Sequence, residues 1–482
     1  MSPRPRQGKE QALSRSTHQQ NNPTPRRAAL VVAMLGFFVV ALDAQIVNVA
    51  LPSIRHDLGG GLAGLQWIVT GYTLMFSTLL LFAGTLSDRI GARRVYGIGM
   101  GLFIAASLAC GLAPTLGLLI AGRFAQGIGA ALITPTSLAL IRAAYTDEVA
   151  RGRAIAYWAL GGSVAAAAGP VVGGFLTQVD WRLIFFVNLP VGAAALVVLT
   201  RVAGSVTRAA RFDWVGQVTA VLALGGLTFG IIEGGASGYG TPEVLTAFCV
   251  AIVAGIAFVV SQKRGSSPMI PLSLFRSRSM RTGLSAAFVT MAAFYGVVFL
   301  QSLYFQVERG LSALETGLLF LPMTGMVAVL NPLVARVMER VGVITTTVVG
   351  IVVMLVGLVS LSLLSMSAPV WGVALAMVPV GVGGSFTVPP LTALLLNQVP
   401  ADRAGTASGL LNTARQLGGS LGVAAFGAVV ATEASFTSGS RLDLRVTAGL
   451  LVLVGIFVLR LRASNGVSFT TPGQRELAPS RS

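Results

Sequence analysis

Apolar stretches long enough to cross a bilayer follow one another along almost the whole chain, separated by short basic links. A helix needs about 20 residues to span a hydrocarbon core about 30 Å thick, and backbone in lipid must satisfy its own hydrogen bonds. The pattern therefore predicts helices over 28–50, 62–84, 95–113, 116–141, 154–176, 183–200, 214–232, 243–260, 282–303, 312–333, 343–366, 369–396, 404–430 and 446–461. That is an all-α polytopic membrane protein of about fourteen transmembrane helices. The sixth and fourteenth spans are short, and 369–396 has length and three prolines (Pro379, Pro389, Pro390) that favour a tilt or break. Charged residues are only 11% of the 482-residue chain and the mean hydropathy is +0.79. A soluble domain carries about 25% charge, so too little polar surface is available for a water-soluble body.

The basic residues orient the bundle. With the N-terminus in the cytoplasm, Arg55, Arg182, Arg309, Arg441 and Arg445 fall outside and Arg123 and Arg415 fall within spans, which leaves 27 of the 34 lysines and arginines inside. This bias predicts an even number of spans with both termini cytoplasmic. It also accounts for the net charge of +17 as anchoring beside anionic lipid, so no nucleic-acid partner is needed. Residues 1–27 and 462–482 read as cytoplasmic tails, the first polar and disordered. Cys110 and Cys249 sit in apolar runs and the only histidines are His18 and His56, so neither a disulfide scaffold nor a metal cluster is expected.

Internal similarity divides the spans further. The link after span 2, Gly84-Thr85-Leu86-Ser87-Asp88-Arg89-Ile90-Gly91-Ala92-Arg93-Arg94, has a degenerate echo lacking the Asp in Asn331-Pro332-Leu333-Val334-Ala335-Arg336. Gly161-Gly162-Ser163 is echoed by Gly418-Gly419-Ser420. Both echoes lie eight spans apart, as expected for two six-helix halves, 28–200 and 282–461, with a two-helix insert and its links at 201–281.

Charge inside a membrane is expensive and needs a reason. Asp43 in span 1 lies about 13 Å below Pro52, taken as the outer end of that span, and Arg123 in span 4 lies about 10 Å deep. Pairing of these two would offset part of their desolvation. A structural ion pair and a role in proton coupling both fit. Arg415, with Asn412 and Gln416 beside it in span 13, is either a polar clamp between helices or part of a pathway. At the cytoplasmic mouth Asp88, set among Gly84, Gly91, Arg89, Arg93 and Arg94, can accept hydrogen bonds when the inner side closes and so act as a latch. Plain anchoring explains the arginines but neither the acid nor the paired glycines. In span 5, Gly169, Pro170, Gly173 and Gly174 leave a nearly bare face with a bend, suited to close and changeable packing. The chain has no Walker Gly-Lys-Ser/Thr sequence, and Gly127-Ile128-Gly129 lacks βαβ surroundings, so neither an ATP motor nor a dinucleotide loop is present. Catalytic residues are not expected. Active transport then needs an ion gradient, and Asp43 makes protons the economical choice.

These motifs, in this order, resemble the major facilitator superfamily, in particular its fourteen-span drug:proton antiporters of bacteria. Matches are Leu42, Asp43, Val47, Asn48, Ala50, Leu51 and Pro52 in span 1; Gly84, Leu86, Asp88, Arg89, Gly91, Arg93 and Arg94; Arg123, Gln126, Gly127, Gly129 and Ala130; and Gly169, Pro170, Gly173 and Gly174. Trp181-Arg182, Phe185, Asn188, Pro190 and Gly192, and later Gly405, Asn412, Arg415, Gln416, Gly418 and Gly422, follow the fourteen-span subgroup. Gln45 departs from the usual Thr, and Ala92 stands where another basic residue is common. The resemblance implies a major facilitator fold in a bacterial inner membrane. It also implies proton transfer at Asp43 and Arg123, and proton-driven efflux of a hydrophobic or amphipathic antimicrobial by a monomer without cofactors. Asn48, Tyr72, Gln126, Tyr304, Asn412, Arg415 and Gln416 are expected along the substrate path. Export or uptake of an endogenous metabolite, or a non-transporting membrane sensor or scaffold, are the alternatives.

Overall fold

A computed structural model describes residues 23–464 apart from 205–206, 208–210, 266–267, 366 and 401–403. The expected tails therefore lie largely outside the described residues. The first half comprises α1 (Pro23–Ile46), α2 (Leu51–Leu58), α3 (Leu62–Ile90), α4 (Ala92–Gly111), α5 (Leu116–Ala144), α6 (Glu148–Val179), α7 (Leu183–Phe186) and α8 (Asn188–Leu199). An inserted hairpin follows, α9 (Trp214–Ser237) and α10 (Pro242–Arg264). The second half comprises α11 (Arg278–Leu303), α12 (Ala313–Val341), α13 (Val343–Leu363), α14 (Val370–Leu396), α15 (Ala404–Thr432) and α16 (Phe436–Ser464). Among the described residues 13 helical stretches are long and apolar enough to cross a membrane, and the broken helix Leu183–Leu199 supplies a shorter one.

Several expected boundaries move. Pro52 does not end the first span: a 3-10 turn, Val47–Ala50, joins α1 to α2, and Pro52 sits in the first turn of α2, where a missing N–H is harmless. Asp43 is therefore deeper than 13 Å, since the helical chain runs on to Leu58. The last helix starts at Phe436, which places Arg441 and Arg445 within its first turns. The helix Val370–Leu396 stays continuous through Pro379, Pro389 and Pro390.

The repeat also changes register. Residues 331–336 lie inside α12, and the structural counterpart of Gly91 (φ 93°), which turns α3 into α4, is Gly342 (φ 84°), which turns α12 into α13. Both turns need the left-handed backbone that glycine adopts freely. Asp88-Arg89-Ile90-Gly91 thus pairs with Glu339-Arg340-Val341-Gly342, and the second half keeps an acid where the expected echo had none.

Packing follows the division. One buried cluster draws on residues 28–202 (Val32, Tyr96, Phe103, Ile133), and another, apart from Val49, on 270–461 (Val297, Phe320, Met354, Leu395). A third joins the halves, with Ile46, Leu65 and Phe185 against Phe299, Leu303 and Val423. Hydrogen bonds crossing this seam run from Gln66 to the carbonyls of Ala424 (2.7 Å) and Val423 (3.2 Å), from Gln306 to that of Val49 (3.0 Å), and from Ser302 to that of Asn48. All four lie toward the end away from Asp88, here the arginine-poor end. Nearer the middle, Thr324 reaches the Ala167 carbonyl and Asn331 of α12 donates to Ser163 Oγ of α6 at 3.2 Å. The hairpin lies along the seam: Trp67 of α3 donates to Glu233 of α9 at 2.9 Å, while Gly235 rests on Ala428 of α15.

Candidate proton-coupling site

The first-half helices are glycine-rich where they cross, so their backbones approach closely. Gly127 of α5 lies on the Tyr72 carbonyl of α3, and Gly129 lies on Gly99 and Phe103 of α4. This close packing brings five polar side chains from four helical segments to one point. Asp43 (α1) is 0% exposed and Arg123 (α5) is 1% exposed. The guanidinium Nη1 donates to Asp43 Oδ2 and, at 2.8 Å, to Gln126 Oε1, while Nε donates to the Ile68 carbonyl at 2.9 Å. Asp43 Oδ1 accepts from Gln126 Nε2 (3.1 Å) and from Asn188 Nδ2 (2.8 Å). Ser107 Oγ of α4 accepts from Gln126 (2.7 Å) and Asn188 (3.3 Å). Tyr72 covers the guanidinium, 4.4 Å from ring centroid to Cζ, with its hydroxyl tied to the Val40 carbonyl at 3.1 Å. Phe185 flanks it at 5.9 Å.

Asp43 and Arg123, expected at similar depth, are thus in contact, and Gln126 and Tyr72 belong to the same cluster. They are buried within the first half and do not line an open path. Ser107 and Asn188 were not expected here. Ser107 is a lone hydroxyl in an apolar run. Asn188 follows the break between α7 and α8 at Val187, and its position depends on that break. Asn188 Oδ1 is buried and has no hydrogen-bond partner.

The remaining candidates separate. Asn48 is buried one turn beyond Asp43, and its amide bonds back to the Ala44 and Gln45 carbonyls at 3.3 Å. Tyr304 lies apart from the cluster, on a cavity of about 50 Å³ within the second half that Gln301 and Arg441 also line. Asn412, Arg415 and Gln416 stand together, half-buried, on α15. On α6, Gly169 packs on Gln45 and Gly173 on Ile46, whereas Gly174 packs on Ala313 and Pro170 meets Gly317, both in α12. The bare face therefore touches both halves. Gly317 completes this contact and was not expected.

At the basic end, Gly84 is half-buried, Arg94 is exposed, and Asp88 is exposed with no hydrogen bond or ion pair among the described residues. The expected latch bonds are not made in this conformation. Arg89 lies 5.0 Å from the ring centre of Phe212, and Arg93 donates to the Thr200 carbonyl at 3.2 Å. No group of side chains suited to a metal occurs among the described residues, and Cys110 and Cys249 are unpaired thiols.

The sequence profile of the Major Facilitator Superfamily matches residues 33–423. The chain belongs to that superfamily. It is 38% identical to "Multidrug resistance protein Stp" of Mycobacterium tuberculosis over 420 residues, covering 86% of this chain and 78% of the relative. It is 34% identical to "Methylenomycin A resistance protein" of Bacillus subtilis, covering 93% of this chain and 97% of the relative. The crystal structure of peptide transporter POT in complex with sulfate superposes with a TM-score of 0.68 at 15% identity, covering 91% of this chain and 95% of that one, a likeness of fold. This facilitator is a transporter, not an enzyme, related to bacterial multidrug and antibiotic efflux proteins.

Proposed function

We propose that this facilitator exports a hydrophobic or amphipathic small molecule in exchange for protons, by alternating access of a space between its halves, with Asp43 as the proton carrier. The observation that carries this reading is the buried carboxylate of Asp43, held by three side-chain donors from two other helical segments. Arg123 supplies the counter-charge for this buried carboxylate in the present conformation. A small change in their contact on switching then loads or releases a proton. Turning over of the Asn188 amide, whose Nδ2 now faces Asp43 and whose Oδ1 is unpartnered, would offer protonated Asp43 an acceptor. Asp88, Arg89, Arg93 and Arg94 with Gly84 and Gly91 would latch the basic end when it closes, and Gly169, Pro170, Gly173 and Gly174 would seal the opposite end. The arginine distribution supports cytoplasmic termini in a bacterial inner membrane, with a monomer as the working unit.

The test is a growth-inhibition screen with and without expression. Flux of the compounds found then follows, in proteoliposomes with an imposed pH gradient and equal amounts of inserted protein. Asp43→Asn should abolish accumulation against a gradient while retaining downhill exchange. Accumulation by Asp43→Asn with an unchanged proton stoichiometry would remove Asp43 from the role and leave a structural ion pair.

A further inference from the structure

Asp43 and Arg123 cancel each other's charge, but Arg415 has no such partner. It sits 11 residues into α15, about 16 Å along a helix of 29 residues. Its Nη1 donates to Asn412 Oδ1 at 3.2 Å, its Nε has no partner, and no carboxylate forms an ion pair with it among the described residues. Asn412 is one turn away on the same helix, so this bond ties no two helices together. An uncompensated guanidinium at mid-membrane depth is costly and needs a use.

Its direction supplies one. On α15, Gly418 and Gly422 rest on Phe288 and Ala292 of α11, while Gly409 and Gly427 rest on Leu81 and Gln66 of α3. With 3.6 residues per turn, Asn412, Arg415 and Gly419 fall in the sector between those two faces, where the halves meet, and Gln416 borders it. The Tyr295 ring covers Gly419 and adds an apolar surface. Arg415 is half-buried, so it is reachable from that space.

We propose that Arg415, assisted by Asn412, anchors the transported molecule, and that this molecule carries a carboxylate or a similar anionic oxygen group on an apolar body. A guanidinium offers fork-shaped donors that match such a group, and a lone positive charge in low dielectric repels lipophilic cations. The inference rests on the export reading above and adds the charge of the cargo.

Detergent-purified full-length protein can be tested by thermal shift against naphthoate, its methyl ester and naphthylmethylamine. Naphthoate should half-saturate at about tenfold lower concentration than the other two. Arg415→Gln should lose about that factor for the acid alone, and Arg415→Lys should keep part of it. Without ligand, Arg415→Gln should melt no lower than the parent, since it removes a half-buried charge that has no counter-ion among the described residues. The proposal is overturned if the amine or ester stabilises as well as the acid, or if none of the three stabilises. It also falls if Arg415→Gln leaves the acid's effect intact, or if that variant melts well below the parent. No proton gradient enters this measurement. A failed proton dependence with the ranking preserved would refute antiport alone, and the reverse would refute only the charge of the cargo.

Discussion

Arg123 gives its Nε and Nη1 donors to groups that water does not reach, and the consequences of removing it follow from that burial. Arg123→Ala leaves the Asp43 carboxylate dry and without its counter-charge, and breaking one partner of a buried pair costs about 3–5 kcal/mol. Thermal unfolding in detergent should show a large loss for Arg123→Ala, a smaller one for Arg123→Lys, and partial recovery when Asp43→Asn is combined with Arg123→Ala. Equal melting of the single and double variants would mean the pair is uncoupled. The pair itself was legible in the sequence, because two opposite charges in apolar runs at similar depth have little alternative to meeting. Ser107 and Asn188 were not legible as parts of the cluster. Their placement depends on helix rotation and on the break at Val187, which no single-residue signal encodes.

At the scale of elements, α6 touches both halves and is expected to govern how they close. Gly317 leaves room for the Pro170 carbonyl, and a Cβ at that position would collide with it. Overpacking costs about 1–3 kcal/mol, enough to shift a two-state balance at least about fivefold. Gly317→Val should therefore favour the state open at the arginine-poor end. The readout is faster aqueous labelling of Ser302→Cys in a Cys249→Ser background, and an unchanged rate would show that the contact does not control closure. The hairpin has a separate anchor. Asp213 caps α9 through the Gly216 N–H at 2.8 Å and accepts from Gln262 (2.6 Å) and from the Met269 N–H (3.2 Å). Burial pushes this carboxyl up, but those three bonds outweigh it and hold it below its usual value. A lowered folded value means the stabilisation is complete above the ordinary carboxylate range near about 4 and disappears as pH falls through the lowered one. Asp213→Asn should lower the melting temperature at neutral pH and flatten that acid limb. Superimposable pH profiles would exclude the anchor. The apolar runs located these helices, but the ends near Pro52 and Phe436 went astray, because a run of hydropathy does not register a 3-10 joint or a helix that continues past a charged turn.

For the molecule as a whole, the two halves share a seam that is bonded from the arginine-poor end to the middle while Asp88 stands unengaged at the other end. A charged group's hydrogen bond contributes about 1.5–3 kcal/mol. Asp88→Asn should accordingly slow turnover about tenfold or more at unchanged insertion, measured as initial flux in proteoliposomes, and normal turnover would remove the latch. Glu339→Gln probes the pseudo-equivalent acid in the same assay. The two-half plan could be read from the spacing of repeats, whereas the pairing of Asp88 with Glu339 could not, because it depends on where α12 ends. The sealing of the Asp43 cluster bears on what an idle copy does to its host. In this conformation the Asp43 carboxylate is wholly shielded from solvent, so on the proton-carrier reading a carrier without cargo should not short-circuit the gradient that other machines draw on. Many copies can then stand ready in one membrane with little drain on respiration. Vesicles loaded with this protein should hold an imposed pH difference as long as empty ones do.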